Sequence, residues 1–367
     1  MSYMILALNP GSTSTKIALY EDRAELFSAN IDLEGLDYNS TDGDHNLLVL
    51  RSGVINSVEE HGYSMNDIDA FAGRGGAMAS SPAGVYIVDE MILEANKAYK
   101  GGRVHACFYS PVLTYSLAQE FDKPAFILNA QSVDEFEMKS RFTGFPEIWR
   151  TSGIHALNHK EVGNRAAEKI GKKYDECSLI VAHLGGGISI AAHKKGKMVD
   201  FSGSSGAGPM CPTRSGMVPA ADVIRMCFSG NYSEKDMLAK VSMNGGLLAH
   251  LGTGDGRIVE QMIADGDDFA RETYDAMIYQ ICKDIGSMAV TMAGNVDAIV
   301  LTGGLSFSDY IVESVKKQTG WIADVISFPG EFEMEALGNG VLRVLEGSDE
   351  VQRYSGIPVF TPPARRI

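Results

Sequence analysis

Apolar positions along the chain follow two rhythms. Some form short continuous runs that stop at glycine, and others return every third or fourth place over longer stretches. Runs of the first kind read as buried strands and stretches of the second as helices packed on them, which predicts an α/β protein. The clearest run is Val181-Ala182-His183-Leu184-Gly185-Gly186-Gly187-Ile188-Ser189-Ile190, read as strand, tight turn, strand. Glycine is expected there for its access to positive φ. Three glycines exceed what a hairpin needs, so the turn is also expected to present bare backbone N–H groups to an anion, phosphate above all.

The same grammar recurs in Ile5 to Tyr20, with Asn9 at the place of His183, Gly11 at the place of Gly185, hydroxyls in place of two glycines and Lys16 entering the return strand. A third glycine signal, Gly303-Gly304, ends the buried run from Ala298. Related hairpins in the two halves predict duplicated domains facing a shared cleft, bridged by a ligand with several phosphates.

Between these landmarks the pattern predicts a third strand over Ala24 to Asp32 and a helix over Asn46 to His61. A strand over Ile68 to Ala72 runs into Gly73-Arg74-Gly75-Gly76, an arginine whose small neighbours leave room for a ligand against the guanidinium. An irregular excursion with a helix then leads to a helix from His105 to Phe121 and a strand over Pro124 to Leu128, which delivers Asn129 and Asp134 to the ligand end of the sheet. Phe142 to Ser152 reads as a linker, and Ile154 to about Ile170 as a helix with His155 and His159 one turn apart. Zinc is not expected of that pair, because no third ligand is evident. Cys211-Pro212-Thr213-Arg214-Ser215-Gly216 presents a second arginine after a glycine-rich loop. Val259 to Met292 reads as one helical stretch whose apolar face includes Tyr274, Ile281 and Val290, followed by helices near Ser308 to Gln318 and Met334 to Glu346 around a strand at Ile326 to Phe328.

Composition narrows the function. The 367 residues, 45% hydrophobic, suffice for two domains. A formal net charge of −15 argues against nucleic-acid and membrane partners. Five scattered cysteines without a C-x-x-C pair suggest a reducing, cytoplasmic setting. No P-loop or protein-kinase signature is present, so a nucleotide would be held by the glycine hairpins, the double glycine Gly303-Gly304, the arginines Arg74 and Arg214, and the carboxylates Asp134 and Glu333. Such a set suits phosphoryl transfer, which asks for positioning and positive charge and little covalent chemistry. A carboxylate acceptor would need no general base, and no dedicated base stands out beyond Asp134.

In chain order, Asn9-Pro10-Gly11-Ser12, Gly73-Arg74-Gly75-Gly76, His155-Ala156-Leu157-Asn158-His159-Lys160, the His183 hairpin, Thr213-Arg214-Ser215-Gly216, Leu301-Thr302-Gly303-Gly304 and Pro329-Gly330-Glu331-Phe332-Glu333 resemble the motif set of the butyrate kinases, a branch of the acetate kinase family. The match spans essentially the whole chain. It implies duplicated ribonuclease-H-like domains of the actin, Hsp70 and sugar-kinase type with an interdomain cleft. Residues 1–153 with 334–367 would form the carboxylate-side domain and 154–333 the nucleotide-binding domain. The implied reaction is reversible transfer from ATP to butyrate, or a branched or short-chain relative, giving an acyl phosphate and ADP.

By the same resemblance, Asn9, Ser12 and Lys16 form the first phosphate loop, and His183 with Gly185, Gly186 and Gly187 the second, with Gly303 and Gly304 beside the nucleotide. Arg74, Arg214, His155 and Asn9 are the implied catalytic residues; Arg74, Gly75, Gly76 and Asp134 face the substrate, and Asp134 and Glu333 flank Mg²⁺, with Glu331 and Glu335 as alternatives to Glu333. His105 and Cys211-Pro212 depart from the family pattern. The family suggests a homodimer or an assembly of dimers. A kinase for acetate, propionate or isobutyrate, a sugar kinase, and an actin-like ATPase used as a switch are the competing readings.

Overall fold

The computed structural model describes residues 2–11, 14–32, 43–76, 78–98, 108–203 and 207–363. They form two compact units. One comprises Met1–Glu135, Thr151–Leu157 and Phe332–Ile367, the other Phe136–Arg150 and Asn158–Glu331.

The first unit opens with an antiparallel meander of β1 (Met4–Pro10), β2 (Ser14–Glu21) and β3 (Ala24–Asp32). Then follow α1 (Gly43–Glu60), β4 (Ala70–Arg74), β5 (Val85–Ile87), α2 (Glu90–Ala98), α3 (Tyr109–Phe121) and β6 (Ala125–Leu128). The second unit holds α4 (Ala156–Lys169), the meander β7 (Ser178–Leu184), β8 (Ile188–Lys194) and β9 (Lys197–Ser202), and then α5 (Ala220–Cys227), α6 (Glu234–Ser242), α7 (Gly246–Leu251), α8 (Gly256–Ala264) and α9 (Asp268–Val290). It closes with β10 (Ala298–Gly303), α10 (Asp309–Thr319) and β11 (Val325–Pro329). The chain then returns to the first unit as α11 (Glu333–Leu345) and β12 (Val351–Gln352).

The sheets carry the duplication. The second runs β11-β10-β7-β8-β9, and the first contains the matching order β6-β4-β1-β2-β3, extended at one edge by β5 and β12. In each, the first strand of a meander pairs in parallel with the strand that follows a helix. Strand β1 is buried on both faces, which is why it reads as a continuous apolar run. Leu6 and Leu8 pack with Leu50 and Val54 of α1 and Leu113 of α3, while Ile5 and Ala7 pack with Leu337 and Val341 of α11.

Three expectations change. The stretch 259–292 is two helices, because Asp265 ends α8, Gly266 turns at φ +94° and the Asp267 carboxylate caps α9 by accepting from Ala270 N at 2.9 Å. Its apolar rhythm ran across the break, and Val290 at its end is 77% exposed. Residues 142–152 are not a plain linker. Phe142 bridges to Trp149, and Arg150 pairs with Asp200, so this segment up to Arg150 packs with the second unit. Arg74 lies inside β4, not in the turn after it, and residues 81–98 include the unforeseen strand β5. Among the described residues no helix is long and apolar enough to cross a membrane.

Ile281 of α9 is fully buried in the second core. Ile281→Ala is expected to cost about 2 to 5 kcal/mol, read as a lower urea midpoint, whereas Val290→Ala should stay within about 0.5 kcal/mol.

Candidate functional site

In the first unit, β1 and β4 run parallel with Leu8 opposite Gly73, so Asn9 and Arg74 emerge side by side at the carboxyl ends of the two strands. Glu333, in the first turn of α11, meets both. Its Oε2 accepts from Asn9 Nδ2 at 2.9 Å and from Arg74 Nη1 at 3.3 Å. A carboxylate there is also favoured by the helix dipole. Its Oε1 has no protein partner among the described residues. Lys16 sits opposite Asn9 in the β1–β2 ladder with an exposed side chain. The structure therefore brings Asn9, Arg74 and Glu333 together and singles out Glu333 from Glu331 and Glu335.

The glycines beside Arg74 open no pocket. A Cβ at position 75 would run into Ala130, and one at 76 would stand 2.7 Å from Pro111 and against the Asn96 amide. Their smallness serves close packing and leaves no room there for a ligand. Asp134 is buried after β6, its backbone N–H donating to Ser81 O at 2.9 Å. His155 is half-buried and directly precedes α4, and so is not on one helical face with His159. Ser12 and His105 lie outside the described residues.

The second unit holds the glycine hairpin between β7 and β8, closed by Leu184 opposite Ile188. None of Gly185, Gly186 and Gly187 takes positive φ. Space crowds position 187, where a Cβ would stand 2.7 Å from the Arg214 guanidinium carbon; a Cβ at 185 would stand 3.2 Å from His183 Nε2, and one at 186 would meet nothing within 4 Å. Arg214 thus lies against the bare backbone of the turn. No carboxylate or other hydrogen-bond partner reaches its side chain among the described residues. The loop that carries it is locked by Gly245 N to Thr213 O at 3.0 Å and Leu248 N to Pro212 O at 2.9 Å. At Gly246, φ is +61° and an added Cβ would collide with Cys211 O, so only glycine permits this closure. The Gly185 N–H is given to Gly187 O at 3.2 Å, and a half-buried guanidinium without a counter-ion beside the bare backbone of Gly186 and Gly187 makes a site for an anion.

His183 is oriented for the same site. Asn158 Nδ2 of α4 donates to His183 Nδ1 at 2.8 Å, which assigns the ring proton to Nε2, the nitrogen that faces Gly185. Asn158 Nδ2 also reaches Thr302 Oγ1 at 3.3 Å at the end of β10. Beyond the hairpin opens a cavity of about 660 Å³, lined by Gly185, Gly186, Gly304, Leu305, Asp255 and Glu260 among others. Gly304 leaves open space where a side chain would be. The size is that of a small-ligand pocket. Asp255 caps α8 and is held down to about 2 by its hydrogen bond from Arg257. The sequence pattern reads Tyr274 as core. Tyr274 is buried, yet its hydroxyl lines the cavity. A Gly-Asp-Gly-Arg turn entering a helix was the available signal.

Behind the hairpin, α4 and β8 are tied by a buried polar chain. Tyr174 Oη meets His193 Nδ1 at 2.7 Å, His193 Nε2 meets His159 Nδ1 at 3.3 Å, and His159 Nε2 meets Ser189 Oγ at 2.9 Å. Burial, helped by the nearby Lys160 ammonium, drives the His193 pKa well below its usual value.

A model of the acetokinase family matches residues 143–319. The chain is 40% identical over 371 residues to a protein of Elusimicrobium minutum named probable butyrate kinase, covering 96% of this chain and 100% of that one. It is 39% identical over 356 residues to butyrate kinase 2 of Clostridium acetobutylicum, with the same coverage. Its fold matches the crystal structure of Porphyromonas gingivalis acetate kinase with a TM-score of 0.80 at 21% identity, covering 93% of this chain and 100% of that chain. A propionate kinase structure from Francisella tularensis matches at a TM-score of 0.73 and 19% identity, over 92% and 98% of the two chains.

Because native His193 stays neutral where an unfolded histidine gains a proton, the unfolded state binds more protons once pH falls below about 6.5. Stability should therefore decline from pH 7 to pH 5. His193→Gln is expected to flatten that slope in urea titrations, and an unchanged slope would assign the acid sensitivity elsewhere.

Proposed function

Because the chain belongs to the acetokinase family, we propose that it transfers the γ-phosphoryl group of ATP reversibly to the carboxylate of butyrate, or of a branched or similar short-chain acid. The carrying observation is Arg214, held against Gly187 without a counter-ion. A carboxylate oxygen forms the new bond to γ-phosphorus while the bond from phosphorus to the β-phosphate oxygen breaks and ADP leaves with the electron pair. The acceptor is already an anion, so no proton has to be removed.

In the second unit, the hairpin N–H groups and His183 Nε2 hold phosphate oxygens, and Arg214 neutralises charge on the group in flight. Gly303 and Gly304 belong to the nucleotide's surroundings. In the first unit, Arg74 receives the acid's carboxylate, with Asn9, Lys16 and Ser12 as further donors to phosphate and His155 as a donor to the transition state. Mg²⁺ binds through hard oxygens and keeps most of its waters, so one or two carboxylates suffice. Glu333, with Oε1 unengaged, fits that demand, and Asp134 completes the proposed pair. When bound, the ion offsets negative charge on the phosphate oxygens. A cytoplasmic setting and assembly into homodimers or sets of dimers belong to the same reading and rest on the family resemblance.

Hydroxylamine trapping of acyl phosphate from ATP and Mg²⁺ across acetate, propionate, butyrate, isobutyrate and valerate tests the activity. The expected maximum is at four carbons, and ATP hydrolysis without hydroxamate from any acid would sink the kinase reading. Arg214→Ala should lower kcat by about 10³-fold or more with little change in KM for ATP. Gly187→Ala, which displaces the guanidinium, should lower it by about 10²-fold. Near-normal turnover in Arg214→Ala would remove Arg214 from the mechanism.

A further inference from the structure

The cavity in the second unit contains a charged group that the phosphate chemistry leaves unused. Glu260 of α8 accepts two hydroxyl hydrogen bonds on a single oxygen: Oε1 takes Tyr274 Oη at 2.9 Å and Ser308 Oγ at 2.5 Å. Tyr274 is fully buried on α9, and Ser308 caps α10 by accepting from Ile311 N at 3.1 Å, so the fold fixes both donors. They occupy the lone pairs of Oε1. Oε2 has no protein partner among the described residues, and Glu260 lines a cavity whose walls also hold glycine backbone, Leu305, Phe307, Pro212 and the mutually paired Asp255 and Arg257.

The chemistry of nucleotides limits what Oε2 accepts. Guanine offers adjacent N1–H and 2-amino donors that call for both oxygens of a carboxylate, and a vicinal ribose diol does the same. Here one oxygen is already taken. A single free oxygen matches an exocyclic amino group with no ring N–H beside it, the 6-amino group of adenine or the 4-amino group of cytosine, and the ATP-dependent reaction proposed above points to adenine. We propose that Glu260 Oε2 selects adenine nucleotides by accepting a hydrogen bond from that amino group, a proposal that rests on reading this cavity as the nucleotide site. A 6-keto base would set a carbonyl oxygen against the carboxylate, two acceptors with no proton between them.

The test compares kcat/KM for ATP, ITP and 2′-deoxy-ATP in the full chain and in Glu260→Gln. The intact protein should favour ATP over ITP by at least about tenfold. In Glu260→Gln the amide oxygen is the one acceptor left for the two hydroxyls, so the NH₂ group faces the cavity. Use of ATP should fall, use of ITP should rise, and the ratio should drop at least about tenfold. Equal losses for both nucleotides would overturn the proposal and make Glu260 structural. A changed ATP to 2′-deoxy-ATP ratio with an unchanged ATP to ITP ratio would overturn it in favour of the ribose. Tyr274→Phe provides a second variant. It frees a lone pair on Oε1 and should raise GTP use relative to ATP several-fold, and an unchanged ratio counts against the proposal. Leu305→Trp fills the cavity. If it leaves KM for ATP unaltered, the nucleotide reading of the cavity fails as well; if KM rises while Glu260→Gln preserves the ATP to ITP ratio, only the adenine assignment fails.

Discussion

Keeping an arginine half-buried without a carboxylate beside it is electrostatically costly, and much of the second unit is arranged to hold Arg214 in that state. Gly187 lets the guanidinium lie on the hairpin, and the carbonyls of Pro212 and Thr213 tie its loop to the start of α7. The left-handed Gly246 makes that closure possible. The cost is offset elsewhere, in the apolar packing of α8, α9 and α10 on the sheet. An anion that reaches the hairpin recovers it as binding energy, which is how a site comes to prefer a transition state with dispersed negative charge.

The first unit solves the corresponding problem differently. Arg74 is compensated, sharing Glu333 Oε2 with Asn9. A guanidinium has five N–H donors, so one contact leaves most of its fork available to an incoming carboxylate. Glu333 meanwhile keeps Oε1 without a partner among the described residues. The same strand order therefore presents a bare cation in one unit and a cation with a built-in carboxylate in the other.

Histidines illustrate how position decides role. His183 is oriented by Asn158 toward the hairpin, whereas His159, from the same motif segment, is buried in the chain linking Tyr174, His193 and Ser189 and ties α4 to β8. Spacing alone cannot separate the two roles, because what distinguishes them is which neighbour supplies the second hydrogen bond.

Sequence alone determined the architecture and where its glycine turns and paired arginines stand. Strands buried on both faces are continuous apolar runs, the hairpin repeats in both halves, and Asn9, Arg74, His183, Gly185 to Gly187 and Arg214 stand at ends of strands or in turns, where local pattern carries the information. What only the tertiary structure decided depends on which distant residues meet. Gly187 is crowded by the Arg214 guanidinium and not called for by its own φ; Gly75 and Gly76 pack on Ala130 and Pro111 instead of opening a ligand pocket; and Asn9 and Arg74 meet at Glu333. Glu260, Tyr274 and Ser308 lie far apart in the chain and carry no motif, so their shared hydrogen bonds exist only once α8, α9 and α10 have packed.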